Sequence, residues 1–276
     1  MKFAKYHALG NDYLVIEPSE FNSEITKDQV RLVCNRHFGI GADGLLIGSL
    51  PTEVADFSLK IINPDGSEAD KSGNGLRIFA RYLWDKGVVT TKPFTIYTVG
   101  GVVTAYVHTE NNNVTIDMGQ VSFDSEKIPV KGLKREVINE RMIIEGQVLR
   151  YCAATIGNPH CVVLRSDTTP EEAKFWGEVI EYEPRFPNRV NVQFLTVLDR
   201  ANIKIEIWER GTGYTLASGT CSCASAAVAY RLGLCDSEIT VHMPGGRHFI
   251  SISEDMQVRL TGPVSFIFSG TSTILD

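Results

Sequence analysis

The feature that most constrains this chain is an internal repeat at a nearly constant offset. Gly10-Asn11 returns as Gly157-Asn158, 147 positions later. The apolar run 57–63 returns at 203–209, and Ser72-Gly73 returns as Ser218-Gly219, both 146 positions later. Three separate features sharing one spacing imply duplication, by the logic used for shorter repeats. The expectation is two like domains related by a pseudo-twofold axis. With 276 residues, each half is long enough to bury a core of its own.

Both copies carry the same local signal. Ser72 and Ser218 suit helix N-caps, because a serine oxygen accepts an N–H that has no partner inside the helix. The glycines after them let a ligand approach the backbone closely. Leu76, Ile78, Phe79, Ala80, Tyr82 and Leu83 then read as a core-packed helix, and 223–232 as its counterpart. A helix start offers free N–H groups and a positive dipole end, so it binds anions. Two starts converging on one carboxylate would stabilise the charge formed when a proton leaves the adjacent carbon. A pseudo-symmetric site would also offer a proton-handling group on each face, which inverts a stereocentre. Plain N-capping is the bland alternative for both serines. The repeat and the flanking Gly73-Asn74-Gly75 favour site residues that also cap.

Alternating polarity predicts strands at 2–17, 45–47, 57–63, 94–98, 102–108 and 113–118 in the first half. A turn interrupts the first of these at Gly10-Asn11-Asp12. The second half carries strands at 147–154, 161–164, 190–197, 203–208, 238–243, 249–253 and 257–261. Helices are expected at 26–36 and 170–181. The polar stretch 119–128 reads as the crossover, and 266–275 as a last strand returning to the first half. Met243-Pro244-Gly245-Gly246-Arg247 reads as a hairpin turn, since it joins no strand to a helix.

Composition removes several classes. A net charge of −6 disfavours nucleic acid and anionic membranes as partners. Cys34, Cys152, Cys161, Cys221, Cys223 and Cys235 form no regular framework and read as free thiols in a reducing compartment. One Cys221-Ser222-Cys223 without a second pair is poor zinc spacing, so no metal is expected. Met1 leads straight into strand-like sequence without a signal peptide. The charge-free run 211–230 is rich in Gly, Ser and Thr, which suits a buried helix better than a membrane span. The expectation is a cytoplasmic protein with a small-molecule substrate.

Six further motifs carry a resemblance. They are His7-Ala8-Leu9-Gly10-Asn11-Asp12; Asn63-Pro64-Asp65-Gly66-Ser67-Glu68 with Ser72-Gly73-Asn74-Gly75; Gly157-Asn158-Pro159-His160; Arg189-Val190-Asn191-Val192; Glu209-Arg210-Gly211; and Thr215-Leu216-Ala217-Ser218-Gly219-Thr220. In this order the chain resembles the diaminopimelate epimerases, over essentially its whole length. Those enzymes interconvert LL- and meso-diaminopimelate without a cofactor, on the way to lysine and peptidoglycan. The resemblance implies that Asn11 lies near the reacting centre. It implies that Asn63, Asn158, Asn191, Glu209 and Arg210 grip the far amino-acid end. A guanidinium fork suits a carboxylate there, and a carboxylate suits an ammonium. Gly73, Asn74, Gly219 and Thr220 would present backbone N–H groups to the reacting carboxylate. With the repeat, it implies an α+β fold. Two pseudo-symmetric domains, 1–118 plus 265–276 and 119–264, would each curl a mixed, barrel-like β-sheet around a central helix. The active site would lie in the interdomain cleft, and the resemblance implies a homodimer.

The pattern departs at its most reactive positions. The family's acid and base are two cysteines, and this chain has Ser72 and Ser218 there. A serine hydroxyl is a much weaker acid than a thiol and acts with a neighbouring base. Gly44 stands where the family commonly has glutamine, Tyr214 where it has glutamate, and Cys221 where it has glycine. An engineered Cys-to-Ser exchange is one reading, although it gives no reason to alter those three as well. The remaining readings are an isomerase in which serine works with His160, Glu209 or another acid (Asp43, Glu68 and Asp70 by position), an enzyme for a different amino acid, and a non-catalytic amino-acid binding homologue. The catalytic set is therefore Ser72, Ser218, His160 and Glu209.

Overall fold

A computed structural model describes residues 1–21 and 24–275; residues 22, 23 and 276 lie outside it, so the last position of the expected 265–276 segment is not placed. The fold is α+β. Two compact units divide the chain, Met1–Asp117 with Thr261–Asp276, and Met118–Leu260.

In the first unit the chain runs through β1 (Lys2–Ala8), β2 (Asn11–Ile16), α1 (Lys27–Cys34), β3 (Leu45–Leu50), β4 (Phe57–Ile62), α2 (Gly73–Asp85), β5 (Phe94–Thr98) and β6 (Gly101–Val107). It leaves through β7 (Asn113–Gln120). The expected turn falls one step earlier than Gly10-Asn11-Asp12. Leu9 and Gly10 both take positive φ, 54° and 91°. Asn11 opens β2, opposite Ala8. A two-residue hairpin needs two left-handed residues, and the glycine supplies one without strain.

The second unit holds β8 (Glu140–Ile144), β9 (Gln147–Thr155), β10 (Pro159–Leu164), α3 (Pro170–Glu181), β11 (Asn191–Asp199), β12 (Asn202–Glu209), β13 (Gly213–Thr215), α4 (Gly219–Arg231), β14 (Glu238–Met243) and β15 (Gly246–Ile252). The chain then returns through β16 (Gln257–Pro263) to β17 (Ser265–Thr271). That last strand pairs antiparallel with β1, as its apolar sequence and lack of a local partner suggested.

The repeat reappears as an order of strand pairings. In the first unit β1/β2 is antiparallel, β2/β3 parallel, β3/β4 antiparallel, β4/β5 parallel and β5/β6 antiparallel. The second unit repeats it with β9/β10, β10/β11, β11/β12, β12/β14 and β14/β15. A parallel pair needs a crossover, and each unit supplies a helix for it. The hairpin read at Met243–Arg247 is the β14/β15 turn.

The sheet of each unit is mixed and packs around one helix. α2 lies against β1, β2, β3 and β6, and α4 against β9, β10, β11, β12, β14 and β15. Both helices are buried on nearly every side. That explains their apolar residues all round. Separate cores form, one around Leu14, Val30, Val33 and Leu45, the other around Tyr151, Trp176, Val192 and Phe194.

α3 approaches β12 closely at a glycine. A Cβ on Gly177 would lie 2.5 Å from Cβ and Cγ of Trp208. Gly177→Ala is expected to lower stability by about 1–3 kcal/mol through overpacking. Urea unfolding measures it, and an unchanged midpoint would show that the helix shifts freely. Trp208 immediately precedes Glu209, the last residue of β12.

Candidate active site

Each unit gathers candidate site residues at the start of its buried helix. In the first, Ser72 caps α2, its Oγ accepting the Gly75 N–H at 3.0 Å. The N–H groups of Gly73 and Asn74 fall in the first turn, where a helix has no acceptor for them. The Tyr13 hydroxyl lies 3.3 Å from Ser72 Oγ. Gly44 explains how the ring fits: a Cβ there would meet Tyr13 Cε1 at 2.7 Å and the Ile62 carbonyl at 2.6 Å. The glycine found where glutamine was expected thus makes room for a tyrosine. Asn74 Nδ2 donates to Asn11 Oδ1 at 3.0 Å, joining two residues 63 positions apart. Asn63 sits apart from them in its own turn, with Nδ2 donating to Ser67 Oγ at 3.0 Å.

The second unit's cluster differs at its first residue. Ser218 was expected to cap α4, yet makes no side-chain cap bond. Its hydroxyl instead donates to Glu209 Oε2 at 2.8 Å. The carboxylate at the end of β12 is a stronger acceptor than any neutral group nearby, and it takes the hydroxyl proton. Thr215 Oγ1 donates to the other oxygen, Oε1, at 2.7 Å. Burial raises the Glu209 pKa, and the two hydroxyls offset only part of that rise. The result is a serine hydroxyl hydrogen-bonded to a carboxyl group whose burial favours its protonated form.

His160 stands in a different role from the one its motif suggested. The ring is fully buried in β10. Burial pushes its pKa down to about 3, so it is neutral across the physiological range. Nε2 donates to Asn158 Oδ1 at 2.8 Å, and Asn158 Nδ2 reaches Thr220 Oγ1 at 3.3 Å. The bond goes to Asn158 and to neither serine. His160 orients that amide, and the Asn158–Thr220 contact matches Asn11–Asn74 in the first unit.

Asn191 and Arg210 are brought together through backbone. Asn191 Oδ1 accepts the Arg210 N–H at 3.0 Å, while its Nδ2 donates to the Pro159 carbonyl at 2.9 Å. Arg210 is exposed, with Nη1 on the Asn188 carbonyl at 3.0 Å. The acids weighed as proton carriers in the first half lie otherwise. Asp43 is engaged by Arg36 and Asn11, and Glu68 and Asp70 are exposed. Cys221 lies fully buried beneath Ser218, accepting from Gln193 Nε2 at 3.1 Å. Burial, then the Glu209 charge, pushes its thiol well above the usual range, so it stays protonated.

Four residues beyond the motifs matter here. Tyr13 lies two positions after Asn11, on the same face of β2. Gln193 bears the same relation to Asn191 on β11. Tyr214, standing where glutamate was expected, donates to buried Glu206 Oε2 at 2.7 Å. Glu181 is a buried acid in the last turn of α3, where the helix dipole disfavours a negative charge. That misplacement was a readable signal. Its carboxylate accepts from Trp208 Nε1 at 2.8 Å, the Gly211 N–H at 3.0 Å and Arg189 Nη1 at 3.3 Å, which pins both sides of Glu209-Arg210.

Among the described residues, no group of three or more His, Cys, Asp or Glu side chains is placed to hold a metal. A groove of about 520 Å³ lies elsewhere in the first unit, along β1, β17 and the end of α2, beside Tyr6, Tyr82 and Phe266.

Solved structures with this fold include a hydroxyproline epimerase from Agrobacterium vitis. It matches with a TM-score of 0.73 at 16% identity, over 98% of this chain and 90% of that one. A methylitaconate-delta-isomerase matches with a TM-score of 0.66 at 13% identity, over 98% and 94%. The scaffold is thus one on which such isomerases are built. The family model described as diaminopimelate epimerase matches residues 3–123 and 152–267. Diaminopimelate epimerase 2 of Nostoc sp. is 54% identical over 98% of this chain and 95% of its own length. The diaminopimelate epimerase of Desulfitobacterium hafniense is 38% identical over 98% and 97%. The chain belongs to the diaminopimelate epimerase family.

Proposed function

We propose that this protein is a cofactor-independent epimerase that interconverts LL- and meso-diaminopimelate. The observation that carries the chemistry is the Ser218–Glu209 pair, a hydroxyl donating at 2.8 Å to a carboxylate whose pKa is raised. As Ser218 Oγ takes the α-proton, its own proton passes to Glu209; reversing both transfers would only restore the same isomer, so inversion needs a proton delivered to the other face. The electron pair left on carbon is delocalised into the substrate carboxylate, which helix-start N–H groups stabilise. By the repeat in the sequence, Ser72 serves the opposite face, with the Tyr13 hydroxyl as its neighbour. Arg210 suits the distal carboxylate, and His160 and Asn191 hold Asn158 and the Arg210 backbone in place.

Deuterium oxide tests this directly. Proton NMR with LL-diaminopimelate is expected to show loss of the α-proton signal and growth of the meso isomer. Binding by calorimetry without exchange would instead mean a non-catalytic homologue.

The same reading puts the enzyme in the reducing cytoplasm, consistent with six cysteines that are all free. No helix among the described residues is long and apolar enough to cross a membrane. A homodimer is supported by Phe266, Ile267 and Phe268 on β17, which are 51%, 44% and 42% exposed beside the groove.

A further inference from the structure

A chain of side-chain hydrogen bonds runs through the first unit with a fixed direction. It begins at Arg77, fully buried in α2, whose Nη2 donates to Asn74 Oδ1 at 2.7 Å. Asn74 Nδ2 then donates to Asn11 Oδ1, and Asn11 Nδ2 to Asp43 Oδ2, each at 3.0 Å. One end is a guanidinium, which only donates, and the other a carboxylate, whose oxygens accept. Each amide between them therefore has one orientation that serves both neighbours. A flip of either would set a donor against a donor, or an acceptor against an acceptor. Asp43 is itself held, with Oδ1 accepting from Arg36 Nη2 at 2.7 Å and Oδ2 from the Asp12 N–H at 3.1 Å.

We propose that Asp43 and Arg77 are positioning residues that lock the Asn11 and Asn74 amides, so that each turns its remaining N–H outward as a donor to the substrate carboxylate. This inference rests on the epimerase reading above. It gives Asp43 a task other than proton transfer, since both its oxygens are already engaged. It also gives a buried guanidinium a reason to sit beneath a helix start.

Asp43→Asn tests the direction of the chain. The new amide is isosteric but both donates and accepts, so Asn11 loses its charge-assisted bond to the carboxylate and is held from the Arg77 end alone. The expected result is a rise of about tenfold in KM for diaminopimelate, the scale of one lost charge-assisted hydrogen bond, with kcat changed less. Arg36→Gln separates this from the loss of the neighbouring ion pair. It leaves the Asn11–Asp43 bond in place and is expected to keep KM within about twofold. Equal KM shifts in the two variants, or an unchanged KM in Asp43→Asn, would overturn the proposal while the epimerase reading stands. A parent enzyme that neither exchanges nor binds diaminopimelate would overturn that reading, and the positioning role with it.

Discussion

Glu209→Gln is expected to slow α-proton exchange by about 10²–10⁴-fold, the usual contribution of a positioned acid–base group. The variant retains the shape of the site. Its amide oxygen accepts from one hydroxyl, and its NH₂ group donates to the other. Substrate binding should therefore survive in calorimetry while exchange in deuterium oxide falls. The pH dependence follows from the direction of the shift. Burial raises the Glu209 pKa, so the basic form accumulates only above the ordinary carboxylate range, and exchange should climb with pH through that raised value. The stability sign is opposite. A carboxyl whose folded pKa is raised favours the protonated fold. Its contribution is largest at low pH and is lost as pH rises through the folded value. Glutamine mimics the protonated form, so the variant is expected to unfold no more easily than the parent at neutral pH. A parallel loss of exchange and of melting temperature would point to a structural role instead.

A large stability effect is expected at Glu181. Glu181→Leu leaves the Trp208 indole N–H and the Gly211 N–H without their acceptor, and Arg189 without its counter-ion. Gly211 and Arg189 are exposed and can turn to water, so the cost falls mainly on the half-buried indole N–H and the emptied carboxylate site, about 1–3 kcal/mol. A lower urea midpoint with an unchanged slope would register it. Glu181→Gln keeps one acceptor and should lose roughly half as much. Function responds too, because Trp208 and Gly211 flank Glu209-Arg210, so the milder variant should raise KM before it lowers kcat. An unchanged midpoint in Glu181→Leu would show that water replaces the carboxylate at no cost.

Much of the fold was legible in short-range patterns. The returning β17, the Met243–Arg247 hairpin and both buried helices followed from polarity and turn chemistry, which act within a few residues. The β1/β2 turn was misplaced by one step, because Leu9 takes a left-handed conformation that its side chain does not announce. Ser72 and Ser218 looked equivalent in sequence, yet only Ser72 caps its helix. The difference comes from Glu209, which β12 delivers to Ser218. His160 shows the same limit. Its motif marked it as important, but complete burial decides that it stays neutral and orients Asn158.

The sequence alone determined the duplication, the two Ser-Gly helix starts and the residue types available to bind an amino acid. These depend on spacing along the chain, which one-dimensional periodicity records. Tertiary structure alone decided which hydroxyl meets a carboxylate and which ionisable groups lose water. It also decided where the amide dipoles point. Those outcomes arise from groups on different elements meeting at low dielectric, from nine positions apart for Ser218 and Glu209 to 63 for Asn11 and Asn74, where one neighbour is enough to change which atom holds a proton.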